Sequence, residues 1–291
     1  MWTDITVKGM RLEKVEPGDK EEIKAMSSGI WDGNDYIPKV FDEWVKEEGF
    51  YKAVFGDKII GVCRYSRQPG GVLWLEGLRI HPDYQGKGYG SDVAGLFHHI
   101  VINKEHTALR FMTDVTNTKS IHLAEKRGFT TLMELYHLEF QGRGSPVEGV
   151  RRETDPEAVK DMVFSSPEYH GYEGLYISNW EAKEFTEELL EEEVKGGNCY
   201  CYVKDDELMG VLFINHHKAY GRVSIPFLAG TRDALDILIR YAMWWSGEKG
   251  DGFLLLKTPF QEVKEQAEDA GMGLAGFRKV VILQLVNEQA L

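Results

Sequence analysis

Residues 75–91 read LEGLRIHPDYQGKGYGS and carry three glycines at alternate positions, Gly86, Gly88 and Gly90. The apolar pattern before them predicts a strand that ends near Ile80, and a helix is predicted to begin near Ser91. Backbone N–H groups at the start of a helix, with no side chains in the way, form a site for an anion such as a pyrophosphate. The sequence therefore predicts a phosphate-binding loop between a strand and a helix.

Two common phosphate-binding motifs do not fit this loop. A P-loop places Lys and then Ser or Thr directly after its last glycine, whereas Gly90 is followed by Ser91 and Asp92. A dinucleotide-binding Rossmann motif has the spacing G-x-G-x-x-G and follows the first strand of its unit. Here the spacing is G-x-G-x-G, and the loop follows the fourth predicted strand.

The hydrophobic pattern around the loop predicts an α/β domain, and the second half of the chain repeats it. The turn-rich stretch GRGSP at 142–146 predicts a boundary between the halves. The segment DKIIGV at 57–62 is echoed by DELMGV at 206–211, 149 residues later, within the same order of predicted elements. We therefore predict duplicated, separable domains over residues 1–142 and 146–291. The acidic run 181–195, with seven glutamates at helical spacing, predicts the solvated face of a helix.

Composition limits the class of protein and its partners. Of 291 residues, 43% are hydrophobic and 28% charged, as in soluble globular proteins. No apolar stretch approaches the ~18 residues of a membrane span and no signal peptide is visible, so we expect a cytoplasmic protein without a membrane partner. The net charge of -13 argues against a nucleic-acid partner and suits an amine substrate. The three cysteines and nine histidines lack metal-ligand spacing, so we expect no metal.

Three motifs in the first half match one enzyme family. The loop Gln85-Gly86-Lys87-Gly88-Tyr89-Gly90 fits the pattern [QR]-x-x-G-x-[GA], Leu78-Arg79-Ile80-His81-Pro82-Asp83 precedes it, and Asn117-x-x-Ser120 leads into EKRGF at 125–129. Over residues 9–140 the sequence thereby resembles the GNAT superfamily of acetyl-CoA-dependent N-acetyltransferases. The resemblance implies a GNAT fold, with a mixed central sheet flanked by helices, and acetyl-CoA as the co-substrate.

The resemblance also implies which residues bind the cofactor. Backbone groups of the strand would pair with the pantetheine arm, the amides of residues 86–91 would hold the pyrophosphate, and Asn117 would reach the pantetheine. The implied cofactor-binding residues are Leu78, Arg79, Ile80, Gln85, Gly86, Lys87, Gly88, Tyr89, Gly90, Ser91, Asn117 and Ser120. The equivalent stretch of the second half, SIPFLAGTR at 224–232, lacks the loop, which predicts a degenerate GNAT-like domain without a CoA site.

Attack of an amine on a thioester requires removal of a proton, and Glu76 is the predicted catalytic base. Strict strand alternation would place Glu76 on one face with Trp74, Leu78 and Ile80. The alternative is a structural or substrate-pairing carboxylate. The family's usual acid is a tyrosine whose position holds Ala124 here, which leaves Tyr136, Tyr89 or solvent, and Tyr136 is the predicted catalytic acid.

A narrower resemblance concerns the acceptor. The segment WDGNDYIP at 31–38 and EGLR at 76–79 are similar to the branch that acetylates the α-amine of free histidine. This similarity implies that Asp35 or Asp32 pairs with a cationic group and that Tyr36 stacks on it, with Glu76 nearby. The alternative for Asp35 is a plain helix cap.

The sequence thus predicts an enzyme that moves an acetyl group from acetyl-CoA to a primary amine, such as that of a histidine-like amino acid. Two alternatives remain open. One is a non-enzymatic protein that binds and senses acyl-CoA, and the other is a protein lysine or N-terminal acetyltransferase.

Overall fold

The structure is a computed structural model that describes residues 7–30, 33, 35–250 and 252–288. Its chain divides into two compact units that are not contiguous in sequence. The first unit comprises Met1–Phe111, Thr118–Thr130 and Leu283–Leu291, and the second comprises Met112–Asn117 and Thr131–Ile282. These units differ from the predicted segments 1–142 and 146–291, because each half of the chain contributes a piece to the other unit.

The elements before residue 130 belong to the first unit, except that residues 112–114 of its last strand belong to the second unit. These elements are β1 (Met10–Lys14), α1 (Lys20–Ser27), α2 (Ile37–Trp44), β2 (Phe50–Phe55), β3 (Lys58–Arg67), β4 (Leu73–Ile80), α3 (Tyr89–Ile102), β5 (Ala108–Asp114) and α4 (Thr118–Glu125). Strands β1 to β4 pair antiparallel in sequence order, and β5 pairs parallel with β4. Helix α1 packs on β3 and α3 packs on β4. In this order the glycine loop follows the fourth strand and precedes a helix, as predicted.

Strand β3 is the central apolar strand of this unit. Its residues from Ile59 to Tyr65 are all buried, although one of them is Arg64. A continuous buried run is typical of a strand that is covered on both faces. An arginine inside such a run is costly to bury unless it is paired.

Strand β4 contains a β-bulge at Gly77. Arg64 of β3 lies opposite Glu76, whereas Val62, two residues earlier, lies opposite Arg79, so β4 holds one extra residue in this interval. Gly77 has a φ of 67°, and a Cβ there would come within 2.9 Å of the Trp44 ring. Only glycine meets both the backbone conformation and the close approach.

The second unit is built from the later elements. They are β6 (Thr130–Gln141), β7 (Val150–Arg152), α5 (Glu157–Phe164), α6 (Pro167–Gly171), β8 (Leu175–Ser178), β9 (Glu181–Glu184), α7 (Glu187–Gly196), β10 (Cys199–Lys204), β11 (Glu207–Phe213), β12 (Asn215–His217), β13 (Arg222–Ile225), β14 (Leu228–Gly230), α8 (Arg232–Lys249), β15 (Phe253–Thr258), α9 (Gln261–Ala270) and β16 (Gly273–Val286). Strands β14, β11, β10 and β7 form a four-stranded sheet. Buried apolar side chains of these strands, of β6, β13 and β15, and of helices α8 and α9 form one core cluster.

The acidic run 181–195 is not one helix, and that prediction is wrong in its first part. Residues Glu181–Glu184 form β9, which pairs antiparallel with β8 across a turn at Asn179, and α7 begins only at Glu187. Thr186 ends the extended segment, because its hydroxyl accepts the Leu189 amide at 3.3 Å as a helix cap. Glutamates at helical spacing alone therefore did not define the start of the helix.

Strand β6 belongs to the second unit rather than to the first half. It pairs antiparallel with β15 over six residue pairs, from Tyr136 opposite Thr258 to Gln141 opposite Phe253. In the other direction, the segment from Leu283 returns to the first unit, where the Asn287 amide donates to the Thr107 carbonyl at 2.8 Å. Periodicity predicts a strand at each place, but it does not say which strand is its partner.

The predicted boundary at 142–146 is not an open linker. Gly144 lies against α8 so closely that a Cβ would come within 2.5 Å of the Trp244 amide nitrogen. The glycine at this position therefore allows a close backbone contact within the second unit. Among the described residues, no helix could span a membrane and no three His, Cys, Asp or Glu side chains are grouped as metal ligands.

Candidate active site

The glycine loop between β4 and α3 is held by a side-chain hydrogen bond at its start. Gln85 Nε2 donates to the carbonyl of Ile80 at 2.9 Å and thereby closes the turn that leaves the strand. Gly86 and Gly88 have φ values of 73° and 90°, which side chains rarely allow. A Cβ at Gly86 would meet no atom within 4 Å, so this side of the loop is open.

The loop presents a row of amides at the start of α3. The amides of Ser91 and Asp92 both donate to the Gly88 carbonyl, at 3.0 and 3.2 Å. In the described structure, the amides from Gly86 to Gly90 donate to no backbone or side-chain acceptor. Amides without an acceptor at the positive end of a helix dipole are able to bind an anion. The predicted set of pyrophosphate-binding amides covers residues 86–91. In the structure it ends at Gly90, because the Ser91 amide already donates to the Gly88 carbonyl.

Helix α3 is fixed from behind by Arg127 of the EKRGF segment. Its guanidinium donates to the Ser91 carbonyl at 2.9 Å and to the Leu123 carbonyl at 2.5 Å. The Arg127 guanidinium also lies so near Gly95 that a Cβ there would approach it to 3.3 Å. The segment that supported the family resemblance therefore has a clear structural role, since it positions the helix that carries the loop.

Strands β4 and β5 separate early. Their recorded parallel pairing covers only Leu73 with Leu109 and Trp74 with Arg110, although β4 continues to Ile80. Beyond the bulge at Gly77, the edge of β4 that carries Leu78 and Ile80 has no recorded partner on that side among the described strands. Such an edge can accept an extended, amide-bearing ligand by strand-like hydrogen bonds.

The bulge also changes which residues share a face of the sheet. Residues opposite each other in a sheet point to the same side, so Glu76 and Arg79 share a face with Arg64 and Val62. The prediction that Glu76 shares a face with Leu78 and Ile80 is therefore wrong. Strict alternation fails here because the extra residue at Gly77 shifts the period by one.

On this face a charged–aromatic cluster forms. We use this name for Asp35, Tyr36, Trp44, Glu47, Arg64, Glu76 and Arg79. The guanidinium carbon of Arg79 lies 5.2 Å from the Tyr36 ring centre, and the Tyr36 and Trp44 rings meet edge to face at 5.8 Å. The cluster joins the two segments, 31–38 and 76–79, that carry the narrower resemblance.

Glu76 is ion-paired within this cluster. The buried guanidinium of Arg64 donates to Glu76 Oε1 and, through its other nitrogen, to Glu47. It also lies over Trp44, 4.6 Å from the ring centre. Because Arg64 is bound on three sides, it holds the Glu76 carboxylate in a defined position. Sequence reasoning missed Arg64, whose only signal was a charged residue inside an apolar strand.

Asp35 is buried, with 1% of its side chain exposed. Its Oδ1 accepts from Arg79 Nε at 3.3 Å and from the Ile37 amide at 3.4 Å, so the helix-cap interpretation holds in part. Its Oδ2 is buried without a hydrogen-bond partner in the described structure. Asp32, the alternative to Asp35, lies outside the described residues.

The other predicted residues have different surroundings. Tyr136 lies on β6 in the second unit, with the ammonium groups of Lys264 and Lys279 at 5.6 and 4.8 Å from its ring centre. Asn117 also belongs to the second unit, where its side chain donates to Thr113 Oγ1 at 3.0 Å. Tyr89 begins α3 and packs against Phe55. Ala124 is buried on α4, and Ser120 lies one turn before it.

Helix α8, whose start in the second unit corresponds to that of α3, begins with a side-chain cap instead of a glycine loop. Helix α8 begins after Thr231, whose hydroxyl accepts the Ala234 amide at 3.3 Å. The Thr231 amide itself donates to the Met209 carbonyl at 3.0 Å. A capped helix start of this kind has fewer amides to offer an anion than the loop of the first unit.

A strand that separates from its neighbour thus lies next to a helix start whose five amides, from Gly86 to Gly90, have no acceptor in the described structure. Residues 20–129 match the model of the acetyltransferase (GNAT) family. The matched segment contains β4, the glycine loop and α3. A search of curated protein sequences found no match.

Solved structures share the fold over most of the chain. A GCN5-related N-acetyltransferase from Sphaerobacter thermophilus has a TM-score of 0.65 and 14% identity, covering 97% of both chains. A tandem GNAT protein from the clavulanic acid biosynthesis pathway has a TM-score of 0.58 and 10% identity, covering 95% of this chain and 98% of its own. A glucosamine N-acetyltransferase region of a fungal β-N-acetylglucosaminidase has a TM-score of 0.66 and 12% identity, covering 97% of this chain and 38% of its own. The mixed α/β GNAT fold is thus confirmed, with tandem GNAT structures among its neighbours.

Proposed function

We propose that this enzyme transfers an acetyl group from acetyl-CoA to the amine of a small amino-acid-like substrate. The observation that carries this proposal is the charged–aromatic cluster, which brings carboxylates and guanidinium groups together beside two aromatic rings. A free amino acid carries an ammonium and a carboxylate, so it complements such a mixed set of charges. A histidine-like side chain would add a ring that stacks on Tyr36 or Trp44.

Acetyl-CoA fits the groups of the first unit. The amides from Gly86 to Gly90 would hold its pyrophosphate, and the free edge of β4 at Leu78 and Ile80 would hold its pantetheine arm. Bound there, the thioester supplies an activated acetyl carbon. Gln85 contributes indirectly, because its contact with the Ile80 carbonyl fixes the loop relative to the strand.

Glu76 would remove the proton that the attacking amine loses as its nitrogen bonds to the acetyl carbon and the carbon–sulfur bond breaks. It would do so directly or through a water molecule, from the position that Arg64 imposes. The leaving thiolate then takes up a proton, for which Tyr136 stays the predicted donor and solvent the alternative. A thiolate is a tolerable leaving group near neutral pH, so this second step is the less demanding one.

Asp35 would act on the acceptor mainly through Arg79. Its buried Oδ1 orients the guanidinium, and its unpartnered Oδ2 is a candidate acceptor for a substrate ammonium. In this arrangement Tyr36 forms one wall and Arg79 offers the charge for a substrate carboxylate.

The test is a CoA-release assay over free histidine, other amino acids, polyamines and lysine-containing peptides. We expect a free amino acid to be used at least tenfold more efficiently than any peptide. Faster use of peptides or whole proteins would instead support a protein acetyltransferase. Binding of acetyl-CoA without amine-dependent CoA release from any of these acceptors would support a sensing role.

A further inference from the structure

The second unit contains a set of buried basic side chains that acetyl transfer in the first unit does not use. We call it the buried basic cluster and define it as His137, Ser178, His217, Arg222, Ser224 and Lys257. Its members come from β6, the end of β8, β12, β13 and β15. Five elements thus contribute polar groups to one region of the unit.

Lys257 is the most deeply buried charge of the cluster. The residue is 3% exposed, and its ammonium donates to the Asn179 carbonyl and lies 4.9 Å from the Trp180 ring centre. Within the described part of the chain, no carboxylate lies within 4 Å of Lys257 or of Arg222. A buried ammonium without a carboxylate is costly, and proteins keep such a group only when something compensates for it.

The hydroxyl and imidazole groups of the cluster are mutually bonded. His217 Nε2 lies 2.9 Å from Ser224 Oγ and 3.1 Å from Ser178 Oγ. The two hydroxyl oxygens are 3.3 Å apart. Each serine hydroxyl has one hydrogen and can rotate. Either hydroxyl can therefore donate its hydrogen bond to a ligand instead of to His217 or to the other serine.

Three buried polar atoms around the cluster lack a partner in the described structure. They are His137 Nε2, Asn179 Oδ1 and Arg222 Nε. His137, which is 4% exposed, uses its Nδ1 at 3.1 Å from the Phe277 carbonyl, and its ring meets Trp180 edge to face at 5.7 Å. Buried polar atoms are nearly always paired in folded proteins, so three unpaired atoms in one region indicate a site for a polar ligand.

The charges that act on this region are mainly positive. Burial, together with the charges of Lys257, Arg222, His216 and Lys183, lowers the pKa of His217 to about 4. Burial and the charge of Arg222 lower the pKa of Lys257 to about 7. Among the described residues, the carboxylate that acts on Arg222 is that of Glu139, and Lys183 is paired with Glu181 at 3.4 Å. The balance favours an anion.

We propose that the buried basic cluster binds a small carboxylate, with the Lys257 ammonium as its counter-charge and Ser178 and Ser224 as hydrogen-bond donors. One ammonium and two hydroxyl groups match the single charge and two oxygens of a carboxylate. The indole of Trp180, stacked over Lys257, suits the apolar remainder of such a ligand. The site lies within the second unit and goes beyond the proposed acetyl transfer.

The experiment titrates the full-length protein with sodium acetate at constant ionic strength, with sodium chloride as the balancing salt. Binding is followed by tryptophan fluorescence and by the thermal unfolding midpoint at pH 6.5. We expect a saturable fluorescence change and a rise in the midpoint. Trp180→Phe should remove the fluorescence change but keep the rise in the midpoint. Lys257→Met should weaken binding at least tenfold, whereas Lys195→Met, which removes an exposed lysine of α7, should leave it unchanged.

The stability of the variants gives a second test. Because methionine keeps the length of lysine without its charge, Lys257→Met should unfold at the same temperature as the parent or higher in acetate-free buffer. Should that variant not fold, Ser224→Ala, which is expected to weaken acetate binding at least threefold, decides the question. The proposal is overturned if the parent and Lys257→Met bind acetate equally well, or, should Lys257→Met not fold, if the parent and Ser224→Ala do. It is also overturned if acetate binding does not saturate. A tenfold preference for phosphate over acetate overturns the assignment to a carboxylate.

Discussion

Arg79 Nε lies 3.3 Å from Asp35 Oδ1, and this contact joins two segments that are 44 residues apart in sequence. It forms because the bulge at Gly77 turns Arg79 to the face of β4 that also carries Glu76. One irregular position in a strand thus brings the predicted base and the predicted acceptor residues into the same cluster.

The first prediction concerns the amide loop. Gly88→Asp should weaken acetyl-CoA binding roughly 100-fold or more, because it places a carboxylate beside the pyrophosphate seat and a side chain at a φ of 90°. Isothermal titration calorimetry measures the effect. Gly18→Asp, at a glycine where a Cβ meets no atom within 4 Å, is the matched control and should bind normally. Two acetyl-CoA sites per chain, or unchanged affinity in the Gly88 variant, would contradict the assignment.

The second prediction concerns Glu76. Glu76→Gln keeps the shape but not the ability to accept a proton, so turnover should fall roughly 10²–10⁴-fold with acetyl-CoA affinity nearly unchanged. The deficit should shrink at high pH, where more of the amine is already neutral. Glu47→Gln, which changes the other carboxylate on Arg64, serves as the control and should lower turnover far less. Equal losses of turnover in both variants would mean that Glu76 acts only as a structural partner of Arg64 and not as the base.

The third prediction separates binding from chemistry in the acceptor region. Asp35→Asn should raise the acceptor KM more than it lowers kcat, because it removes the counter-charge that orients Arg79. Steady-state kinetics with varied acceptor and saturating acetyl-CoA measure both constants. Asp42→Asn, at an exposed aspartate paired with Lys20, should change neither. If kcat falls and the KM stays constant, Asp35 does not act on the bound acceptor.

The fourth prediction concerns the fragment 1–142. Sequence patterns predict a separable domain, but β6 pairs with β15 and the segment from Leu283 packs on the first unit. The fragment should therefore unfold at a temperature at least 10 °C below that of the whole chain, or aggregate through the unpaired strand. Circular dichroism and light scattering test this. A fragment as stable as the whole chain would show that the pairing of β6 with β15 and the packing of the segment from Leu283 contribute little to stability.

The fifth prediction concerns acid stability. Hydrogen bonds from Lys104 and Tyr65 lower the pKa of Glu48 from 4.5 to about 2. Because the folded state holds the charged form more strongly, the contribution of this group is complete above pH 4.5 and is lost as the pH falls towards 2. Lys104→Met should therefore destabilise the protein at pH 6 but hardly at pH 2, as measured by urea unfolding. Lys20→Met, which breaks an exposed pair, is the control and should have a smaller effect at pH 6.

The element order and the glycine loop could be read from the sequence, because both depend on local signals. Apolar periodicity located the strand that ends at Ile80 and the helix that follows it, and the alternate glycines located the amides at the start of α3. The side-chain cluster could not be predicted in full. Gly77 gives no sign in the sequence that it inserts an extra residue into β4, and this insertion decides which side chains meet.

Partners that are distant in sequence were also beyond the reach of periodicity. Strand β6 has the alternation of an ordinary strand, whether it pairs with β5 or with β15. In the same way, Glu181–Glu184 has the composition of a helix but is held extended by its pairing with β8. Arg64 was overlooked because a single charged residue in an apolar strand says only that a partner exists, not that the partner is Glu76.

The return of residues from Leu283 onward to the first unit has a consequence for synthesis on the ribosome. The first unit cannot reach its final packing until those residues, including Asn287, have emerged, which is long after its own loop has been translated. During that interval the edge of the nascent first unit stays uncovered. Chaperone binding and the speed of translation over the second half should thus affect how much of this protein reaches its native fold.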